Sequence, residues 1–196
     1  FAGFVIGDGQ KWLVSRDESL LQTAPVKKIL TSDQYTKDVF NAKAQIVGLH
    51  RLGIDLNYVA FDLLLASYLV DPSDNSNDLG ELAHAHDYYD VKSDEEVYSK
   101  GVKRAIPTDD QVFFTHLAQK ARAIHELRAP VYAQLKEHEQ MPLYEDIELP
   151  LTYVLAKMEI AGIKVNAQTL KEMGSELKER LAEIEQVIYQ EAGTEF

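Results

Sequence analysis

The chain has 196 residues, 45% of them hydrophobic, which is enough to bury a sizeable core in one or two domains. Its formal net charge of −12 excludes a broad cationic surface for nucleic acid, because such a surface needs clustered Lys and Arg. The lack of cysteine excludes disulfides and thiolate metal sites. The sequence shows no signal segment and no apolar run of about 20 residues, so it predicts a cytoplasmic protein without a membrane span.

The chain opens with two apolar runs joined at Asp8-Gly9, a pair that favours a tight turn. This pattern predicts a β-hairpin over residues 3–14. Gly7 and Gly9 do not predict a phosphate-binding loop, because no Gly-Lys-Ser/Thr and no strand-to-helix transition follows them. A short helix is predicted next at APVKKILTSD, with Pro25 near its start.

The segment KDVFNAKAQIVGLHRLGIDLNYVAFD predicts a strand, a helix and a second strand. Asn41 can cap the helix, Ile46, Leu49 and Leu52 share one of its faces, and Gly53 can end it. A strand, helix and strand in this order are typical of a parallel βαβ unit.

Asp62 lies between the second of these strands and the apolar helix LLLASYLV. A carboxylate there can accept the free N–H groups of the first helical turn and interact with the positive end of the helix dipole. We favour this helix cap over a metal-binding or acid–base role for Asp62.

Residues 72–109 are polar and predict one short helix, at DLGELAHAH, followed by a long loop. The loop brings three cations together: Lys100, Lys103 and Arg104. A solvated surface is favoured there over a phosphate contact. His84 and His86 have the spacing of one strand face, and without a third ligand they do not predict a zinc site.

The remainder predicts three helices: a long one over 109–139 with a kink at Pro130, one that Gly162 ends, and a last one over 167–191. The last helix carries an apolar stripe with members three or four residues apart: Leu170, Met173, Leu177, Leu181, Ile184 and Ile188. We expect the stripe to pack against residues 145–162 rather than to line a cofactor site.

The C-terminal segment contains IELPLTYVLAKMEIAGIKVN and ends in EAGTEF. Several of its residues have the spacing found at the start of the polymerase module of family-A DNA polymerases, of the bacterial DNA polymerase I type. They are Pro150-Leu151, Met158-Glu159, Gly162 and Val165, with the ending at Phe196. The chain resembles that family over about 50 residues here. The family usually has Asp where this chain has Asn166, and both residue types cap helices.

Upstream, GIDLNYVAFDLLLASYLVDP resembles the 3′→5′ exonuclease-like domain that precedes the polymerase module in this family. The resemblance implies an α/β fold: an RNase H-like mixed sheet with flanking helices over residues 1–140, followed over 141–196 by the first helices of the polymerase thumb. It also implies that the chain is part of a longer protein, and that the family's first strand, between the hairpin and the strand at 57–61, precedes Phe1.

Proofreading members of the family hold two metal ions with four acids. Two of them form an Asp-x-Glu pair on the family's first strand, which would precede Phe1. A third acid follows an Asn by four residues, a pattern that matches Asn41 to Gln45 here, and the fourth follows a Tyr by four residues, which matches Thr115 to Gln119. An amide oxygen supplies no negative charge, so these replacements predict a degenerate site that binds no divalent pair and has no catalytic residue.

The resemblance therefore implies that the parent protein is a Mg²⁺-dependent DNA polymerase acting on primer-template DNA, with its catalytic acids beyond residue 196. The present portion is expected to be catalytically silent, without a cofactor of its own, to bind little or no DNA, and to support the polymerase module. Two alternatives remain open. One is an active nuclease with shifted acids such as Asp38, Asp55 or Asp62, and the other is an acidic protein-interaction module.

Overall fold

The computed structural model describes residues 2–73 and 76–195, so Phe196 of the family-like ending lies outside the described residues. The described residues are mostly helical with four short strands, and the predicted α/β class is confirmed. Every helix in these ranges is too short or too polar to cross a lipid bilayer.

The predicted hairpin is present as β1 (Phe4–Gly7) and β2 (Trp12–Ser15), which pair antiparallel. The Asp8 carboxylate closes the turn by accepting the backbone N–H groups of Gln10 and Lys11 at 3.0 and 2.8 Å. Gly9 has a φ of +88°, and the His125 ring lies 2.5 Å from the place where a Cβ would be. Both the backbone angle and this close approach require glycine at the turn.

The predicted βαβ unit is also confirmed. It consists of β3 (Lys37–Val39), α2 (Ala42–Arg51) and β4 (Val59–Asp62), and a helix that precedes it, α1, spans Ala24–Thr31. Strands β3 and β4 pair parallel, with Asp38 opposite Phe61. Asn41 caps α2 as predicted: its φ is 60°, and its Oδ1 accepts the Ala44 N–H at 3.2 Å.

The strands of the described residues form two separate two-stranded sheets, β1-β2 and β3-β4. The RNase H-like resemblance implies one mixed sheet whose first strand precedes residue 1, and no described strand hydrogen-bonds to both β1 and β3. Strand β4 pairs with β3, and the predicted additional strand upstream of residue 1 stays a prediction.

Most of the other described residues lie in helices. They are α3 (Leu63–Val70), α4 (Leu79–Ala85), α5 (Asp94–Tyr98), α6 (Asp110–Glu137), α7 (Met141–Leu143), α8 (Leu149–Ala161) and α9 (Ala167–Ala192). Helix α6 remains continuous through Pro130, although proline cannot donate the usual backbone hydrogen bond. One π-helical turn, Tyr144–Glu148, connects α7 to α8.

Two clusters of buried side chains form the core. The first packs α6 against β4 and α3, and contains Phe61, Leu127, Val131, Leu135 and Tyr144 among others. The second joins α1, α2 and the start of β4 to α8 and includes Leu30, Ile46, Ile54, Val59 and Ala156. Segments on both sides of residue 140 therefore contribute to the same core.

The chain divides into two compact units, residues 1–160 and 161–196. In the second unit, Asn166 caps α9 by accepting the N–H groups of Gln168 and Thr169, each at 3.2 Å. The six side chains of the predicted apolar stripe on α9 are between 44% and 63% exposed. The packing partner of this stripe, and the domain division at residue 140, stay predictions.

Candidate functional site

Asp62 lies at the point where β4 ends and α3 begins, and it is only 3% exposed. Its Oδ1 accepts the N–H of Leu64 at 3.1 Å, which confirms the predicted cap of α3. The same oxygen accepts the Asn41 N–H at 2.9 Å, and Oδ2 accepts the Ala42 N–H at 2.7 Å. One carboxylate therefore binds the first turns of both α2 and α3.

Burial raises the pKa of Asp62, and the backbone N–H groups of Ala42, Asn41, Leu65 and Leu64 oppose that rise. Its carboxylate accepts three N–H donors and has no cation among its hydrogen-bond partners. Both oxygens are thus used by the fold.

Three tyrosine hydroxyls bind the backbone of β4. The Tyr144 hydroxyl accepts the Asp62 N–H at 2.8 Å, and the Tyr132 hydroxyl donates to the Ala60 carbonyl at 3.1 Å. At the start of the strand, the Tyr153 hydroxyl accepts the Val59 N–H at 2.8 Å. The hydroxyls of Tyr132 and Tyr144 take the place of a neighbouring strand, because Ala60 and Asp62 are two residues apart and present their groups to one edge.

Burial raises the pKa of all three tyrosines, so their hydroxyls remain protonated at neutral pH. Sequence reasoning missed these tyrosines. They lie between 72 and 94 positions from their strand partners, and the sequence has no periodic signal that links them to β4.

The degenerate exonuclease positions occupy two helices. On α2, Asn41 is used as the cap, and the exposed Gln45 donates its Nε2 to the Phe40 carbonyl at 3.4 Å. On α6, Thr115 is exposed and Gln119, one turn later, is half-buried. Within the described ranges, no hydrogen bond joins any of these four side chains to another of the four.

These residues do not fit a two-metal centre. Two divalent ions about 4 Å apart need several carboxylates, and all four positions carry amides or a hydroxyl. Within the part of the chain that the structure describes, no three His, Asp or Glu side chains are grouped as metal ligands would be. The absence of metal ligands in the wider protein stays a prediction.

The other acids considered for a nuclease have different partners. The Asp38 Oδ2 accepts Arg128 Nη1 at 3.1 Å, and its buried Oδ1 has no hydrogen-bond partner among the described residues. Burial raises the pKa of Asp38, while Arg128 and His125 lower it. Asp55 is an exposed residue that pairs with His50 at 2.9 Å. Neither acid lies in a group of carboxylates.

A shallow cleft of about 640 Å³ lies beside Arg128, on the side of α6 that sequence reasoning did not single out. Its lining residues are His125, Glu126, Arg128, Ala129, Tyr132 and Glu145. The cleft contains both signs of charge, and none of the four degenerate exonuclease positions lines it.

A second carboxylate, the half-buried Asp94, begins α5. Its Oδ1 binds His116 Nε2 at 2.9 Å and Lys120 Nζ at 2.7 Å, both on α6. Burial alone would raise the pKa of Asp94, but the hydrogen bonds and charges of these two side chains lower it to about 2. This cluster fixes α5 to α6, next to Thr115.

The two histidines considered for zinc have separate contacts. His84 lies in α4, within the helix predicted at DLGELAHAH. Its Nε2 is 2.7 Å from the Val91 carbonyl, whereas His86 Nε2 is 3.0 Å from Ser67 Oγ. Both side chains are used to hold the loop that follows α4.

Comparison with known families matches residues 1–127 to the model described as DNA polymerase I, ribonuclease H-like domain. The DNA polymerase I of Geobacillus stearothermophilus is 41% identical over 181 residues, which are 92% of this chain and 20% of that protein. That of Bacillus subtilis (strain 168) is 36% identical over 192 residues, 98% of this chain and 22% of that protein. The chain spans about a fifth of the length of these relatives.

Among solved structures, the chain is similar to the POL domain of Pol1 from M. smegmatis in complex with DNA primer-template and dNTP. The TM-score is 0.65 at 22% identity, and the match covers 100% of this chain and 34% of the other. At this identity the likeness shows a common fold. The predicted resemblance to bacterial DNA polymerase I is confirmed by the family model and the relatives together. The chain therefore belongs to the family of the DNA polymerase I ribonuclease H-like domain.

Proposed function

We propose that this chain is the catalytically silent exonuclease-like domain of a DNA polymerase I, with the first helices of its polymerase module, and that its role is structural. The parent protein would be a cytoplasmic polymerase that extends a primer on a DNA template with Mg²⁺. We assign residues 1–140 to the exonuclease-like domain and 141–196 to the start of the thumb.

The observation that carries the proposal is the chemistry of the four degenerate positions. Asn41 is occupied as a helix cap, Gln45 and Gln119 offer only neutral amides, and Thr115 offers a hydroxyl. Neutral oxygens cannot balance the charge of two divalent ions beside a phosphate. The nearby Asp62 cannot replace the lost acids, because three N–H groups already occupy its oxygens.

The structural role is supported by the way residues 141–160 attach to the first part of the chain. Tyr144 and Tyr153 bind β4, and Glu159 on α8 pairs with Lys43 on α2 at 2.8 Å. Tyr144 and Ala156 are fully buried in the two core clusters. The exonuclease-like domain thus provides the surface on which the segment entering the polymerase module folds.

A nuclease assay on the parent protein, with any separate 5′ nuclease removed, tests the proposal. We expect 3′-labelled single-stranded DNA to keep its label with Mg²⁺ or Mn²⁺, while primer extension proceeds. Metal-dependent release of the label would instead support the active nuclease. If Asp38→Asn abolished this metal-dependent release while Asp55→Asn retained it, Asp38 would be identified as the shifted catalytic acid.

The structural role needs a separate measurement in the same parent protein. Tyr144→Phe/Tyr153→Phe removes both hydroxyls without altering either degenerate exonuclease pair. We expect primer extension to be lost at a lower temperature than in the unaltered parent, because α8 is held less firmly. Identical temperature profiles would contradict the structural role and leave the nuclease result unaffected.

A further inference from the structure

The segment 99–106, which we name the basic loop, is the most cationic short stretch of an acidic chain. Residues 100–104 are the only five consecutive residues in the sequence that contain three Lys or Arg, and residues 99–108 contain no acid. Every residue of the basic loop is exposed, and the side chains of Lys100 and Arg104 are 80% and 63% exposed. The loop therefore presents a local positive charge to solvent.

Backbone hydrogen bonds close the basic loop. The Ala105 N–H donates to the Tyr98 carbonyl at 2.8 Å, which closes the loop at its base, and a 3₁₀ turn spans Gly101–Lys103. Below it, Asp94 binds His116 and Lys120 on α6. The cations are thus presented from a fixed turn, so little backbone entropy is lost when a ligand binds.

The acids near the basic loop neutralise it only weakly. Lys100 pairs with Glu95 at 3.0 Å, and Arg104 lies 3.6 Å from Asp94, whose other oxygen is already bound by two α6 side chains. Exposed pairs of this kind contribute about 0–1 kcal/mol and exchange readily for another anion. Lys103 has no carboxylate within ion-pair distance among the described residues.

The basic loop is linked through Asp94 to the segment of α6 that carries Thr115. Asp94 lies 3.6 Å from Arg104 and contacts His116, the residue that follows Thr115 in sequence. At its other end, the Pro107 carbonyl accepts Arg16 Nη2 at 2.7 Å. Val102, at the tip, is fully exposed and can lie against an unstacked base.

We propose that the basic loop binds the phosphate backbone of single-stranded DNA, with Lys100, Lys103 and Arg104 contacting phosphates and Val102 contacting a base. This proposal rests on the proposed function in one respect: it takes DNA as the ligand. A contact of three cations is local, so it is compatible with the weak overall affinity expected from a net charge of −12.

The test compares two triple variants of the chain with the same change in net charge. Lys100→Gln/Lys103→Gln/Arg104→Gln removes the basic loop's cations, and Lys27→Gln/Lys28→Gln/Lys136→Gln removes three exposed lysines elsewhere. The probe is a fluorescent oligothymidine of about 12 nucleotides, titrated in EDTA at several salt concentrations. Circular dichroism checks that both variants are folded.

We expect the basic-loop variant to bind about tenfold more weakly at low salt, and its log–log salt slope to fall by about 2 relative to the unaltered chain. The control variant should change much less. Equal weakening in both variants, no weakening in either, or no binding by the unaltered chain at low salt would overturn the proposal. Because EDTA prevents any metal-dependent cleavage, these outcomes are independent of the nuclease assay that tests the proposed function.

Discussion

The carboxylate of Asp62 lies among neutral backbone N–H groups, whereas that of Asp94 lies between the side chains of His116 and Lys120. Burial favours the protonated form of both, yet the pKa of Asp62 is raised and that of Asp94 is lowered to about 2. Two differences account for the opposite directions: Asp62 is 3% exposed and receives only backbone N–H donors, whereas the Asp94 side chain is 23% exposed and is bound by the side chains of His116 and Lys120.

The largest effect should come from removing the Asp62 carboxylate. Asp62→Ala leaves N–H groups of Asn41, Ala42 and Leu64 without their acceptor, so we expect the free energy of unfolding to fall by about 3–5 kcal/mol. Urea denaturation followed by circular dichroism measures it. The matched control is Asp55→Ala, at an exposed acid that should cost less than about 1 kcal/mol. Equal costs would mean that the buried N–H groups find water instead.

The second effect concerns pH. The pKa of Asp94 is lowered from 3.8 to about 2, so its contribution is present above pH 3.8 and is lost as pH falls through about 2. The shift corresponds to about 2 kcal/mol. We expect Asp94→Asn to be less stable than the unaltered chain at pH 5 and to approach it below pH 2. A difference that does not change between these pH values would rule out the two cations as the cause.

The stability contribution from the titration of Asp62 should depend on pH with the opposite sign. Its pKa is raised above 3.8, so the contribution of its titration is present below pH 3.8 and is lost as pH rises through the raised value. Subtracting the unfolding curves of Asp62→Asn from those of the unaltered chain between pH 4 and 6 measures this term, in a range above pH 3.8 where we expect the Asp94 term to be level. A difference that grows with pH would contradict the assignment.

A smaller effect is expected from the hydroxyls that bind β4. Tyr144→Phe leaves the buried Asp62 N–H unpaired and should cost about 1–2 kcal/mol, whereas Tyr153→Phe should cost less, because Tyr153 is only half-buried and water can reach the Val59 N–H. Hydrogen exchange at the Asp62 and Val59 amides reports each bond separately. Faster exchange at both amides in either single variant would show that the two tyrosines act as a unit.

The smallest effect should come from an exposed ion pair that serves as a reference for Asp94. Asp110 binds Arg16 Nε at 2.7 Å, but its side chain is 63% exposed. Asp110→Asn should change the free energy of unfolding by less than about 0.5 kcal/mol. Arg16 also stacks on Phe113 at 4.1 Å, which holds it in place without Asp110. A cost close to that of Asp94→Asn would mean that burial does not separate the two acids.

The interactions between residues close in sequence could be predicted from the sequence. Asp62 was predicted to cap α3 because it stands between an apolar strand and an apolar helix, and Asn41 was predicted to cap α2 for the same reason. The caps, the hairpin turn at Asp8 and the parallel pairing of β3 with β4 all depend on residues close in sequence or on one connection.

The interactions between residues far apart in sequence could not be predicted. The second role of Asp62, at the start of α2, involves residues 20 and 21 positions away, and Tyr144 is 82 positions from its strand partner. The Asp94 cluster depends on how a short helix packs against α6, which no periodic pattern in residues 72–109 indicates. Packing of elements brings such groups together, and a single sequence records the elements better than their packing.

The hydroxyls of Tyr132 and Tyr144 also bear on association between molecules. A strand with free N–H and C=O groups along one edge is a template on which another chain can add a strand, which is a common start of aggregation. At Ala60 and Asp62 those groups are already bound to side chains of α6 and of the π-helical turn. The tyrosines thus protect a short parallel sheet from intermolecular strand addition without burying it beneath another sheet.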